Sequence, residues 1–264
     1  MIKRGSFILI FVSFLLVSCN KQSATPPSPS QSIDQTEGCP NGEVIEWVDV
    51  LMINDIKYEH HFPDASDEQS SIVIEKGEKL GDVTFMMSEH ACSDHVMKNG
   101  DAAYLPEGTS IYEVKGYPSS FIVTAGDNVF VVDENKKAKT AGELYPLDGL
   151  VKNIHFESTE DGSRLHTFSD ESKKQFIEAW YPLVLGDLDT LYKTGKFEGE
   201  RVFIEMELTN GVSFRLLYWL DSNTFHSGAI GNDEIQTVIV SELEKLDKKN
   251  TDLDSMKKNP SSSR

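Results

Sequence analysis

The chain has 264 residues, and its 43 Asp and Glu against 25 Lys and Arg give a formal net charge of −18. Nucleic-acid binding depends on clustered Lys and Arg that neutralise phosphates, so this charge argues against that class of function. A hydrophobic content of 39% is enough to build a packed core, which argues against a wholly disordered chain.

Residues 1–18 have the layout of a secretory signal peptide. Lys3 and Arg4 precede an apolar run from Phe7 to Val17. The run is about 11 residues, too short for a bilayer-spanning helix, which needs about 20. It ends in Leu16-Val17-Ser18-Cys19, which resembles the lipobox of bacterial lipoproteins. The resemblance implies cleavage after Ser18, acylation of Cys19 with a diacylglycerol and palmitate, and a lipid anchor on the extracytoplasmic face of the cell membrane.

Residues 19–41 follow the cleavage site and are rich in Ser, Gln, Thr and Pro. This composition predicts an unfolded tether that holds a folded body away from the membrane. Removal of residues 1–18 takes away Lys3 and Arg4 and no acid, so the formal charge changes from −18 to −20. An anchor, a tether and an acidic body together resemble the surface lipoproteins of Gram-positive spore-formers.

Residues 42–148 predict a small antiparallel β domain. Asn54-Asp55 is a two-residue turn between apolar runs, and Ala125-Gly126-Asp127-Asn128 separates two further strands, so each turn predicts a hairpin. Residues 149–246 predict an α+β domain, and residues 247–264 a disordered acidic and Lys/Ser-containing tail. The fold class is therefore α+β, and the sequence leaves open whether the two segments form one domain or two.

The α+β segment combines helices with one clear hairpin. Residues 170–181 have apolar residues at helical spacing behind a Ser169 N-cap, a shorter helix is indicated around Leu188, and a last helix begins near Asn232. Between them, residues 202–208 and 212–220 alternate as strands around Thr209-Asn210-Gly211. The segment therefore predicts two to three helices packed on a β-hairpin.

Two cysteines remain after lipidation of Cys19. Cys39 and Cys92 are candidates for a disulfide, since an exported protein meets an oxidising environment. The alternative is a zinc or copper site formed by His90, Cys92 and His95, whose nitrogen and sulfur ligands suit these metals. A disulfide would remove the thiol ligand, so the simple forms of the two hypotheses exclude each other. The spacing matches no standard site, and we expect no metal and no cofactor.

The sequence contains no motif that strongly indicates a hydrolase. The chain lacks a Gly-x-Ser-x-Gly elbow, and 43 acids make chance carboxylate pairs unavoidable. A cryptic Cys-His hydrolase would use Cys92 with His155, His166 or His226 as the base. No residue is assigned a catalytic role, and an enzyme is the less favoured interpretation.

The strand at 212–220 offers a candidate binding surface. Alternation places Arg215, Leu217 and Trp219 on one face and Phe214, Leu216 and Tyr218 on the other. If the first face is open, Arg215 and Trp219 form a recognition surface for a peptide, glycan or protein; a strand covered on both faces is the alternative. The sequence thus predicts a lipid-anchored, monomeric, non-catalytic binding protein or envelope structural component.

Overall fold

Two β-sheets and five helices make up the part of the chain that the computed structural model describes, residues 45–60 and 74–258, with side chains to residue 248. The predicted signal peptide, the tether, Cys19 and Cys39 lie outside these residues, as do positions 259–264 of the predicted tail. The described residues belong to one compact unit, Gln35–Arg264.

The first sheet has eight strands in the order β3-β6-β7-β8-β2-β1-β5-β4, and all pairs are antiparallel except β4 with β5. Its strands are β1 (Val50–Ile53), β2 (Ile56–His60), β3 (Lys76–Asp82), β4 (Phe85–Met86), β5 (Asp101–Ala102), β6 (Ser110–Val114), β7 (Ile122–Ala125) and β8 (Asn128–Asn135). The sheet is larger than the small one predicted, because the two-residue strands β4 and β5 extend its edge.

The second sheet has five antiparallel strands in the order β10-β9-β11-β12-β13. They are β9 (Val151–Glu157), β10 (Arg164–Thr167), β11 (Arg201–Leu208), β12 (Ser213–Trp219) and β13 (Thr224–Phe225). The helices are α1 (Met87–His90), α2 (Ala141–Leu144), α3 (Asp170–Trp180), α4 (Leu188–Lys193) and α5 (Asp233–Lys258).

The three predicted hairpins are confirmed. Asn54 and Asp55 both have positive φ and join β1 to β2, Gly126 turns the chain between β7 and β8, and Gly211 turns it between β11 and β12. Two successive positive φ angles at Asn54 and Asp55 give a turn whose twist matches that of the flanking strands, and a single positive-φ glycine turns the chain in each of the other two hairpins.

The predicted helices are also found, with one difference at the C-terminus. The Ser169 hydroxyl accepts a hydrogen bond from the Ser172 N–H at the start of α3, and Asn232 caps α5 in the same way through Ile235. Helix α5 continues to Lys258, so the structure differs from the predicted disordered tail over residues 247–258. No Gly or Pro interrupts the sequence between Asp247 and Lys258, so nothing in the backbone ends the helix there.

One hydrophobic core joins residues from both halves of the chain. Phe121 and Tyr145 from the first half pack edge to face, and Phe121 also contacts Phe214 of β12. Trp180 of α3 packs against Phe225 with ring centroids 4.9 Å apart, and its indole N–H donates a hydrogen bond to the Tyr145 carbonyl. The mixed α and β content of the α+β prediction is confirmed, with more sheet than helix.

Within the described residues, none of the helices is both long enough and apolar enough to cross a bilayer.

Candidate functional site

A cavity of about 490 Å³ lies between the two sheets. Its size falls within the range of about 300–1,000 Å³ that small-molecule sites occupy. The first sheet and the segment after it contribute Glu59, His60, Val132, Asp133 and Tyr145, and the second sheet contributes Glu157, Arg201, Phe203, Glu205, Ser213, Phe214, Arg215 and Leu217, with His226 after β13. Acids, arginines, histidines and aromatic rings thus surround one space.

The polar part of this wall is one face of the second sheet, which we call the charged sheet face. It consists of the side chains of Asn153, His155, Glu157, Arg201, Phe203, Glu205, Glu207, Ser213, Arg215 and Leu217, which the strand register places side by side. The opposite face carries Ile154, Phe156, Ile204, Met206, Leu216 and Tyr218, which lie in the core. Because side chains alternate along a strand, burying the apolar set directs every charged side chain to the other face.

Two ion pairs cross each other diagonally on the charged sheet face. In the register, Arg215 lies opposite Glu205, and Arg164 of β10 lies opposite Glu157. Each arginine nevertheless binds the acid one row away. The Arg164 guanidinium donates to both oxygens of Glu205 at 2.6 and 2.7 Å, and Arg215 donates to Glu157. Both carboxylates are buried, so these charge-assisted bonds offset the loss of hydration.

A third acid, Glu207, extends the network along the same face. Its carboxylate accepts hydrogen bonds from Lys152 at 2.7 Å, Asn153 at 2.8 Å and His155 at 3.2 Å. Burial alone would raise the pKa of Glu207, but the three hydrogen bonds outweigh it and lower the pKa to about 2. Burial lowers the pKa of His155, so its ring is neutral with Nε2–H donating to Glu207, and Nδ1 accepts from the Thr167 hydroxyl at 2.9 Å.

The opposite wall of the cavity, formed by the first sheet, carries Glu59, an acid that is not neutralised in the way that Glu157, Glu205 and Glu207 are. Lys57 pairs with Asp133 at 2.7 Å, and no hydrogen bond or ion pair reaches the Glu59 carboxyl from the residues that the structure describes. Burial and the neighbouring Asp133 carboxylate raise the pKa of Glu59 above its usual value. Glu59 is therefore a half-buried acceptor in the cavity wall, and the residues that the structure describes do not supply it with a donor.

Arg201 and His226 are donors that have no acceptor among the described residues, with Arg201 exposed to solvent and His226 half-buried. The Arg201 guanidinium lies 5.5 Å from the Phe203 ring centroid, and in the described part of the chain no carboxylate comes within 4.0 Å of it. The Leu217 N–H donates to His226 Nδ1 at 3.0 Å, which fixes Nδ1 as an acceptor. Burial lowers the pKa of His226, so the neutral ring carries its proton on Nε2, for which the described residues provide no acceptor.

Comparisons of the chain with protein families, curated proteins and solved structures found no match. The geometry of the site is therefore the basis for any functional conclusion.

The two predicted binding residues of β12 have different positions. Arg215 lines the cavity, and its guanidinium lies 4.8 Å from the Phe203 ring centroid. Trp219 lies directly opposite Arg201 in the register, but it is 9% exposed, packs against Phe197 with ring centroids 5.0 Å apart and does not itself line the cavity. The structure thus places only one of the pair on the candidate site.

Cys92 does not have a free thiol, because it is a disulfide cysteine. The two other cysteines, at positions 19 and 39, lie outside the described residues, so pairing with Cys39 stays a prediction. His90 and His95 both pack near the Phe85 ring, and His95 Nε2 lies 2.7 Å from the Asp101 carboxylate. Among the described residues, no three His, Cys, Asp or Glu side chains form a group that could hold a metal ion.

The three histidines considered as bases have other partners. His155 contacts Thr167 and Glu207, His166 contacts Glu242, and His226 accepts from the Leu217 N–H. Of these, only His226 lines the cavity.

Sequence reasoning missed Glu59, Arg201 and His226 as site residues. One signal was available: strand β11 carries Arg201, Glu205 and Glu207 on one face while its other face is wholly apolar. A strand with neighbours on both sides and charges along one face must either face water or enclose a polar site.

Proposed function

We propose that this protein is a lipid-anchored, monomeric extracytoplasmic protein that binds a small ligand in the cavity between its two sheets. One observation carries the proposal. The cavity brings together Glu59, Arg201 and His226 Nε2–H, three polar groups that have no partner among the described residues. Glu59 and His226 are half-buried in the cavity wall and Arg201 lies at its exposed rim. Small-molecule sites combine apolar walls with a few convergent polar groups, so these three groups favour a bound ligand as their partner.

The division of the body into a β-rich part, 42–148, and an α+β part, 149–246, belongs to the same proposal. The cavity is formed where strands from the two parts approach each other, so the first part supplies the Glu59 wall and the second the arginines. The lipid at Cys19 and the tether over 19–41 would hold the cavity outside the membrane, within reach of extracellular solutes.

A ligand screen with a blocked variant tests the binding proposal. The full-length protein in mild detergent is scanned by thermal shift against amino acids, dipeptides, sugars and carboxylic acids. We expect at least one of these classes to raise the Tm of the wild type and of Ser213→Ala, because binding to the folded state alone stabilises it. Ser213→Phe fills the cavity wall and should abolish the shift.

Two results would contradict the proposal: no stabilisation by any class, or equal stabilisation of Ser213→Phe. Circular dichroism checks that this variant folds. If it does not, Arg201→Trp at the exposed rim of the cavity is the blocking variant.

The anchor is tested by metabolic labelling. Cells given a clickable fatty acid should label the wild type and Cys39→Ala, which keeps the predicted acylation site, and should leave Cys19→Ala unlabelled. Two or more acyl chains give durable anchoring, since each buried methylene contributes about 0.8 kcal/mol, so Cys19→Ala should also leave the membrane fraction. Label on Cys19→Ala would disprove the lipobox assignment.

A further inference from the structure

We infer that the ligand of the inter-sheet cavity is a zwitterion with an apolar body, in the class of free amino acids and short peptides. The inference rests on the proposed function and names the chemistry that its site selects. It follows from the distribution of charge on the two walls and from the apolar surfaces between them.

The two walls differ in the charge that they leave unbalanced. On the first wall, Lys57 forms its ion pair with Asp133 and acts on Glu59 only through its charge, so the Glu59 carboxyl has no ion-pair partner among the described residues. On the charged sheet face, Glu157 and Glu205 are bound by Arg215 and Arg164. Arg201 remains as the cation without an acid in the described part of the chain. Among the described residues, the Glu59 carboxyl on the first wall therefore lacks a cationic ion-pair partner, and the Arg201 guanidinium on the charged sheet face lacks an anionic one.

The unengaged groups match the two ends of an amino acid or peptide. A primary ammonium has three N–H donors and pairs well with a half-buried carboxylate such as that of Glu59. A carboxylate accepts well from a guanidinium and from a neutral imidazole N–H, which Arg201 and His226 supply. A simple anion would pair with Arg201 and His226 only, and a simple cation with Glu59 only, whereas a zwitterion engages the groups of both walls at once.

The material between these groups is apolar. Val132, Phe203, Phe214, Leu217 and the Tyr145 ring line the cavity, and Tyr145 stacks on Phe214 with ring centroids 5.2 Å apart. Such surfaces favour an aliphatic or aromatic side chain over a sugar, whose hydroxyl groups would lose hydration without gaining partners. A cavity of about 490 Å³ has room for a ligand up to the size of a short peptide.

Three matched probes test the ligand class by calorimetry on the full-length protein in detergent. They are the dipeptide leucyl-phenylalanine, its N-acetyl derivative, which lacks the cation, and its C-terminal amide, which lacks the anion. We expect the free dipeptide to bind at least about tenfold more tightly than either blocked form, because each block removes a charge-assisted interaction.

Two substitutions should remove one preference each. Glu59→Gln should bind the dipeptide and its N-acetyl form with equal affinity, and Arg201→Gln should bind the dipeptide and its amide with equal affinity. Glu134→Gln and Lys174→Gln, which change exposed charges outside the cavity, should keep both preferences.

Equal binding of a blocked form by the wild type would overturn the zwitterion inference. The proposed function would then survive, provided that Ser213→Phe still abolishes that binding. Absence of binding by all three probes would overturn the inference as well, and the ligand screen would decide separately whether the cavity binds a different class.

Discussion

Replacing Arg164 by methionine should lower the free energy of unfolding by about 3 kcal/mol. The substitution keeps the aliphatic stem but removes both donors to Glu205, whose side chain is 5% exposed. Removing one partner of a buried ion pair typically costs about 3–5 kcal/mol, because a desolvated charge is left behind. The lower end is expected here, since Arg164 is 31% exposed and water can partly replace it. Urea unfolding at pH 7 measures the change.

Two variants separate this explanation from a general loss of positive charge. Arg201→Met removes an arginine from the same sheet face without breaking an ion pair, so its stability should stay within about 0.5 kcal/mol of the wild type. The double variant Arg164→Met/Glu205→Met removes both charges and should recover most of the lost stability. If the double variant is as unstable as Arg164→Met alone, the unpaired carboxylate is not the cause.

Replacing Glu207 by glutamine should change how the free energy of unfolding depends on pH below pH 4.5. In the folded protein the pKa of Glu207 is about 2, whereas its ordinary value is 4.5, so folding favours the ionised form. The resulting stabilisation is fully present above pH 4.5 and is lost as the pH falls through the folded value near 2. At pH 7 it should amount to about 2 kcal/mol, allowing for the partial exposure of Lys152.

The measurement is the free energy of unfolding between pH 2 and pH 7. Glu207→Gln should be less stable than the wild type at pH 7 and should approach it below pH 3, which gives a flatter acid limb. Glu178→Gln is the matched control, since Glu178 lies on the exposed side of α3 and its carboxylate is 3.9 Å from the Lys174 ammonium. An acid limb of Glu207→Gln that runs parallel to that of the wild type would show that the three hydrogen bonds do not favour the ionised carboxylate.

The local elements of this protein could be predicted because their signals lie close together in the chain. Asn54-Asp55 and Gly211 have residue types that tolerate positive φ, so the hairpin turns were recognisable from neighbouring residues alone. The cap at Ser169 and the spacing of Phe176 and Trp180 likewise predicted α3. The end of α5 differs from the prediction. The polar composition of residues 247–264 predicts disorder, but this segment contains no helix-breaking residue before Pro260, and α5 continues to Lys258.

The candidate site depends on contacts between residues that are far apart in the chain, and local sequence patterns do not predict such contacts. Glu59 is 142 residues from Arg201, and they line one cavity only because β2 and β11 belong to sheets that face each other. Arg164 and Arg215 also bind acids that are not their direct neighbours in the register, since each guanidinium reaches diagonally to the next row. Alternation could assign Arg215 to a face, but it could not show that this face encloses a cavity.

The sequence by itself determined the turns, the caps, the face on which each strand residue lies and the acidic charge, and it predicts the signal peptide and the lipid anchor. These features follow from backbone conformation and from residues a few positions apart. Only the tertiary structure decided which charges neutralise one another and which remain unpaired. That outcome depends on distances between remote strands, and three cavity-lining groups without a partner among the described residues, Glu59, Arg201 and His226, define the proposed ligand site.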